Sequence, residues 1–234
     1  MSLNINSKPN CIIAARSGSK RLKNKNILKI VNKTLIEIVI KKVIESNIFD
    51  KVFVSTDSNK IAKIAKKSGA LVPFLRSKKL SSDKVGILPV LKDFLLKTEC
   101  KLKDYNFFVY PTAILLSPND LKKSSKKFLK VRPNFLVSLN KFTSNPLKSI
   151  YIDNKKKVKF HFPQYIKKRS QDMKEYYHDA GYFFIFNTSY FLKNGFDEKN
   201  NSYYILKQNN SVDINTIEDF KLAKILYLNT YKNK

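Results

Sequence analysis

Acidic residues are scarce in this chain: 18 Asp and Glu stand against 46 Lys and Arg, a formal net charge of +28 over 234 residues. Cysteine is scarcer, with Cys11 and Cys100 alone, no CxxC pair and no Cys/His cluster. That excludes a structural zinc site and a disulfide scaffold, and the two thiols read as free groups in a reducing cytoplasm. Long apolar runs are missing too. Nothing approaches the roughly 18 consecutive apolar residues of a membrane span, and the polar stretch from Met1 to Asn10 lacks the apolar centre of a secretory signal. The expectation is a soluble cytoplasmic protein with no membrane partner. No internal repeat or linker divides the chain, and this length buries a sizeable core without staples, so a single domain over residues 1–234 is expected.

The charge calls up nucleic acid, because a strong excess of Lys and Arg is the electrostatic footprint of such proteins. Here the excess is lysine scattered along the whole chain among abundant Asn and Ile, which resembles the bias of an AT-rich coding sequence more than a focused patch. RRM, KH and zinc-knuckle signatures are absent, and the Tyr and Phe residues fall mostly in apolar runs that belong in a core. Nucleic acid is therefore not expected as the partner; small anionic ligands are.

Short apolar runs alternate with segments of helical periodicity, the pattern of an α/β domain. Strands are expected at Cys11 to Ala15, Val52 to Ser55, Leu71 to Leu75, Phe107 to Tyr110, Phe135 to Leu139, Tyr182 to Phe186 and Tyr203 to Leu206. Between them, Ile36, Val39, Ile40 and Val43 recur at i, i+3, i+4, i+7 behind a Thr34/Glu37 capping box. Further helices are predicted over Asn59 to Ser68, stopped at Gly69, over Gly86 to Lys97, over Pro118 to Lys130 behind Ser117, and over Thr216 to Tyr227 behind an Asn215/Glu218 box. Ser149 to Asp153 and Lys157 to Phe162 flank a polar run, as in a hairpin or projecting arm.

The most informative stretch leaves the first strand: Ala15-Arg16-Ser17-Gly18-Ser19-Lys20-Arg21-Leu22-Lys23-Asn24-Lys25-Asn26. Gly18 is expected to let the backbone turn sharply and offer N–H groups to an anion, with Arg16, Lys20 and Lys25 supplying charge for phosphate oxygens. Walker A spacing is absent, and by composition alone the stretch reads more readily as a solvated basic turn. Its position favours a ligand, since open α/β sheets bind ligands beyond the carboxyl ends of their strands.

The pattern A-R-x-G-S-K-x-x-x-x-K-N, together with Ser55-Thr56-Asp57 after the second strand, resembles the CMP-sialic acid synthetases and related nucleotide-sugar cytidylyltransferases. The resemblance covers almost the whole chain. It implies a Rossmann-like nucleotide-diphospho-sugar transferase fold: a mostly parallel central sheet flanked by helices, with a dimerisation arm at about 145–175. It also implies that CTP phosphates are gripped by Arg16, Lys20 and Lys25 within a loop of Ala15, Ser17, Gly18 and Ser19, and that Asn26 and Arg76 face the cytidine. Ala14 stands where the family has proline, and Ile87 where a small or hydroxyl residue is common.

Arg169-Ser170-Gln171-Asp172 and His178-Asp179-Ala180-Gly181 resemble the version of the family that activates pseudaminic acid, an acidic nine-carbon sugar. The implied sugar contacts are Arg169, Gln171, His178 and Asp179. Taken without that resemblance, a lone His beside an apolar strand reads as structural. Val212-Asp213-Ile214-Asn215-Thr216-Ile217-Glu218-Asp219 stands where the family carries D-x-D-T-x-x-D, so the resemblance implies Mg²⁺ on Asp213 and Asn215, the latter able to lend only a neutral oxygen. Arg16, Lys25 and Asp213 are the expected catalytic residues, and a homodimer is expected. The alternatives are a sister enzyme acting on legionaminate, N-acetylneuraminate or an eight-carbon ketosugar, an inactive relative, or an RNA-binding protein.

Overall fold

The computed structural model of the chain describes residues 8–207 and 211–232; most of the polar stretch from Met1 lies outside these bounds. In chain order the strands are β1 (Asn10–Ala14), β2 (Lys29–Ile30), β3 (Lys33–Thr34), β4 (Val52–Ser55), β5 (Tyr105–Val109), β6 (Phe135–Lys141), β7 (Ile150–Ile152), β8 (Val158–Phe160), β9 (Tyr177–Asn187) and β10 (Asn201–Ile205). The α-helices are α1 (Leu35–Glu45), α2 (Asn59–Lys67), α3 (Ile87–Leu96), α4 (Pro118–Val131), α5 (Thr188–Asn194) and α6 (Ile217–Lys232).

Six strands form the central sheet in the order β10-β6-β9-β5-β1-β4. The β1–β4, β1–β5 and β6–β10 pairs are parallel, whereas β9 runs antiparallel between β5 and β6. Successive side chains go to opposite faces and both faces are covered, which is why the strands read as continuous apolar runs. Ile13, Val54 and Phe107 belong to a cluster with Val39 of α1, Phe128 of α4 and Ala223 of α6. Ile12, Phe53 and Phe108 turn the other way, to Phe94 of α3 and Phe191 of α5.

Local signals account for most element ends. Thr34 Oγ1 accepts the Glu37 N–H while the Glu37 carboxylate accepts the Thr34 N–H at 2.6 Å, closing the expected box on α1. Ser117 and Asp120 close another on α4. Gly69, at φ +91, stops the chain after α2 in a conformation that side chains disfavour.

Two expectations are corrected. Leu71 to Leu75 is no strand: it touches the sheet edge only through bridges at Phe53–Leu71 and Thr56–Leu75, and Pro73 between them has no N–H for a ladder. The cap of α6 is shifted by one residue. Asp219, rather than Glu218, accepts the N–H groups of Asn215 at 2.9 Å and Thr216 at 2.8 Å, and Thr216 Oγ1 accepts the Asp219 N–H. Both frames contain a capping pair three residues apart; the structure uses Thr216 because the Asn215 side chain has long-range partners.

The arm is the hairpin β7–β8, in register Ile150–Phe160, Tyr151–Lys159 and Ile152–Val158, with Asp153 accepting the Lys155 and Lys157 N–H groups in its turn. Every residue of both strands is exposed.

Candidate active site

Parallel strands that lie side by side deliver their carboxyl ends to one place, and in this sheet β5, β1 and β4 do so. Residues 16–26 leave β1, Thr56 and Asp57 leave β4, and Tyr110-Pro111-Thr112 leaves β5. Between them lies a cavity of about 250 Å³ lined by Arg16, Ser19, Lys20, Arg21, Lys25, Asn26, Arg76, Ile87, Tyr110, Thr112 and Asn215, among others.

The loop after β1 is held at both ends. Asn26, only 5% exposed, donates from Nδ2 to the Arg16 carbonyl at 2.9 Å, clasping the end of the loop to its start. Its Oδ1 is buried and, among the described residues, has no partner. Asp57 straps the loop to β4: its carboxylate accepts the Ser17 N–H at 2.8 Å and the Ser17 hydroxyl at 2.7 Å. The steric argument for Gly18 fails here. A Cβ at Gly18 would meet nothing within 4 Å and its backbone is not left-handed; the left-handed residue of this loop is Asn24, at φ 58. Ala15 is fully buried, its N–H given to Ser55.

The cations differ in their engagement. Arg76 is 7% exposed, donates from Nε to Ser81 Oγ at 3.0 Å, and forms no ion pair among the described residues. Burial lowers its pKa, opposed by Asp57. Lys25 Nζ donates to the Ile214 carbonyl at 2.6 Å and lies 3.4 Å from Asn215 Oδ1. Burial also pulls Lys25 below the usual lysine range; Asp213 works against that, while Arg21 and Arg16 reinforce it. Lys20 pairs with Asp83 at 2.5 Å, and Arg16 Nη1 is 3.5 Å from the Ser81 carbonyl.

Beyond Asn215, two carboxylates, Asp213 and Asp179, lie near one another. Asp213 Oδ2 accepts the Asn215 amide N–H at 2.6 Å. Gly181, at φ +63, brings β9 so near that a Cβ there would sit 3.8 Å from Asp213 Oδ1, and the Gly181 N–H donates to Asp179 Oδ1 at 2.8 Å. Asp179 and Asp213 thus meet at one glycine. Desolvation by the surrounding protein raises Asp179 above the usual carboxylate range, the Gly181 N–H opposing and Asp213 adding to it. Tyr110 is pushed up to about 12, by burial first and then by these two carboxylates.

The remaining predicted residues lie elsewhere in the single chain. Arg169 is exposed in the segment that follows the hairpin, 3.6 Å from Asp172; Gln171 lines a groove with Lys141 and Tyr176; the His178 ring rests on Phe142 with Nδ1 2.8 Å from the Asp179 carbonyl. Tyr110, Thr112 and Arg21 were not singled out from sequence. The rule that ligands sit beyond parallel strand ends is the signal that finds the first two, and Arg21 is one cation among many in its loop.

A cation-walled pocket beyond the carboxyl ends of parallel strands is the kind of place in which α/β proteins hold phosphorylated ligands. Comparison narrows the class. The profile of the family described as cytidylyltransferase matches residues 10–232, and the chain belongs to that family, whose members are CTP-dependent nucleotidyltransferases. It is 36% identical over 220 residues to the pseudaminic acid cytidylyltransferase of Campylobacter jejuni, covering 93% of this chain and 95% of that one. With the CMP-N,N'-diacetyllegionaminic acid synthase of the same species it shares 32% identity, over 92% and 93% of the two chains. A solved CMP:2-keto-3-deoxy-manno-octonic acid synthetase in complex with CTP has the same fold, with a TM-score of 0.73 and 14% identity over 96% of this chain and 100% of the other.

Proposed function

We propose that this cytidylyltransferase couples CTP to pseudaminic acid, giving the CMP-sugar and pyrophosphate. The observation that carries the reading is the convergence of Arg16, Lys20, Lys25 and Arg76 on one cavity that Asn215 also lines, with Asp213 hydrogen-bonded to Asn215 just beyond it. The anomeric hydroxyl oxygen of the sugar attacks the α-phosphorus of CTP; the new O–P bond forms as the α–β anhydride bond breaks, pyrophosphate leaves with its electron pair, and the hydroxyl proton is lost. Such reactions are catalysed mainly by positioning and charge neutralisation. Arg16, Lys20 and Lys25 hold the triphosphate on the strapped loop. Asn26 Oδ1, a buried acceptor with no partner among the described residues, suits the exocyclic amine of cytosine, which is a donor, and Arg76 lines the same cavity.

Mg²⁺ fits the donor set: the Asp213 carboxylate is a hard oxygen ligand and the Asn215 amide stands beside it, while among the described residues no cluster of three or more His, Cys, Asp or Glu forms a cage, so the ion would also need oxygens from phosphate and water. Held by Asp213, with Asn215 beside it, the ion supplies neutralisation of phosphate charge and a more acidic hydroxyl.

The sugar assignment rests on Arg169, Gln171, His178 and Asp179 within their two motifs and on the likeness to the Campylobacter jejuni enzyme. Arg169 and Gln171 lie off the cavity of their own chain, which supports a homodimer whose arm carries them toward the partner's cavity. The hairpin supports it too: Ile150, Ile152, Val158 and Phe160 share one face and are 55, 72, 62 and 40% exposed. Two buried free thiols support a cytoplasmic setting.

The test is incubation with CTP and, separately, pseudaminate, legionaminate, N-acetylneuraminate and an eight-carbon ketosugar, followed by pyrophosphate and product mass. Pyrophosphate should appear only when sugar is present, with the highest kcat/KM for pseudaminate. Preference for another sugar overturns the substrate; no turnover with any of them overturns the reaction.

A further inference from the structure

The side chain of Asn215 sits where a carboxylate would be expected, and its surroundings fix which way its amide faces. Its oxygen receives Arg21 Nη2 at 2.8 Å and lies 3.4 Å from Lys25 Nζ; its nitrogen points at Asp213 Oδ2, 2.6 Å away. The reverse orientation would aim N–H groups at two cations and an oxygen at a carboxylate, so hydrogen bonding allows only one assignment. The backbone below is fixed as well, because the Asn215 N–H is bound to Asp219 and the neighbouring Ile214 carbonyl takes Lys25.

We propose that Asn215 is a positioning residue: its amide joins the basic loop to Asp213, holding Arg21 and Lys25 with its oxygen and Asp213 with its nitrogen. An amide can do this because it is donor and acceptor at once; a carboxylate in the same place would still accept from the two cations but would set oxygen against oxygen at Asp213, a contact that needs a cation between them. The consequence is a division of labour. With Asn215 the site is assembled before any divalent ion arrives, and the ion enters with the triphosphate; with Asp at this position the two carboxylates would bind the ion by themselves. The inference rests on the proposed placement of nucleotide and metal at this cavity.

Two variants test it in the otherwise intact protein, using Mn²⁺ as a paramagnetic probe. Without nucleotide, wild type should leave the free Mn²⁺ EPR signal unchanged at millimolar ion, whereas Asn215→Asp should remove about one equivalent of it and gain at least about 3 °C of melting temperature on adding Mn²⁺. Asn215→Ala should gain no ion binding and should bind CTP about tenfold more weakly, the loss expected when charge-assisted hydrogen bonds go, with KM for CTP raised more than kcat is lowered. The proposal is overturned if wild type binds Mn²⁺ without nucleotide and Asn215→Ala abolishes that binding, for then Asn215 is a ligand. It is equally overturned if Asn215→Ala binds CTP like wild type, or if Asn215→Asp gains no ion. Failure of the catalytic reading would look different: wild type would release no pyrophosphate with any sugar, whatever the behaviour of position 215.

Discussion

Lys25 is the residue at which burial and function pull against each other. Its ammonium must be charged to hold phosphate, yet burial moves its titration below the usual lysine range. The binding form is the protonated one, so kcat/KM, which reports the free enzyme, should fall on the alkaline side at a pH below that of an ordinary lysine, by about tenfold per pH unit. Lys25→Arg, whose guanidinium keeps its proton, should lack that limb while turning over more slowly at neutral pH. An alkaline limb unchanged in Lys25→Arg would show that another group is responsible. Arg76 obeys the same physics: the resemblance places it on the cytidine side, and the Thr56–Leu75 bridge and Ser81 draw it inside. Asn26 was assigned to cytidine by resemblance alone, and its second task, clasping Arg16, depends on a fold-back over ten residues that no local pattern encodes.

At the scale of elements, the loop after β1 gets its shape from straps more than from glycine. Asp57 spans 40 residues to reach Ser17 with two hydrogen bonds, whereas the conformational freedom of Gly18 is not used by the turn. Asp57→Ala should therefore weaken CTP binding about tenfold with little change in melting temperature, since an exposed strap orders a loop but no core. Isothermal titration beside a thermal melt checks this; an unchanged affinity would make the strap incidental. Gly18→Ala, by contrast, should fold and bind as wild type. The helices were legible where apolar spacing and caps agree, as in α1 and α4. The start of α6 differs from expectation by one residue because Asn215 and Thr216 both head valid capping frames, and the Asn215 side chain is taken up by Arg21, 194 residues away, and by Lys25 and Asp213.

For the whole molecule, the arm carries four apolar side chains on one face of a two-stranded hairpin, which is not stable alone in water. If a second copy covers this face, wild type sediments as a dimer at micromolar concentration and Ile152→Asp sediments as a monomer with unchanged helicity. A monomeric wild type, or a variant that stays dimeric, would end that reading. The alternation of strands and helices, the basic loop after the first strand, the hairpin and the family are all legible along the chain, because each is written in residues near one another or in short motifs. Tertiary structure alone decided that β9 enters antiparallel between β5 and β6, that Gly181 brings Asp179 to Asp213, that Tyr110 and Thr112 wall the cavity, and that Asn215 answers to both Arg21 and Asp213. Those pairings join residues far apart along the chain, so they depend on how the sheet orders its strands, and local sequence carries no record of that order.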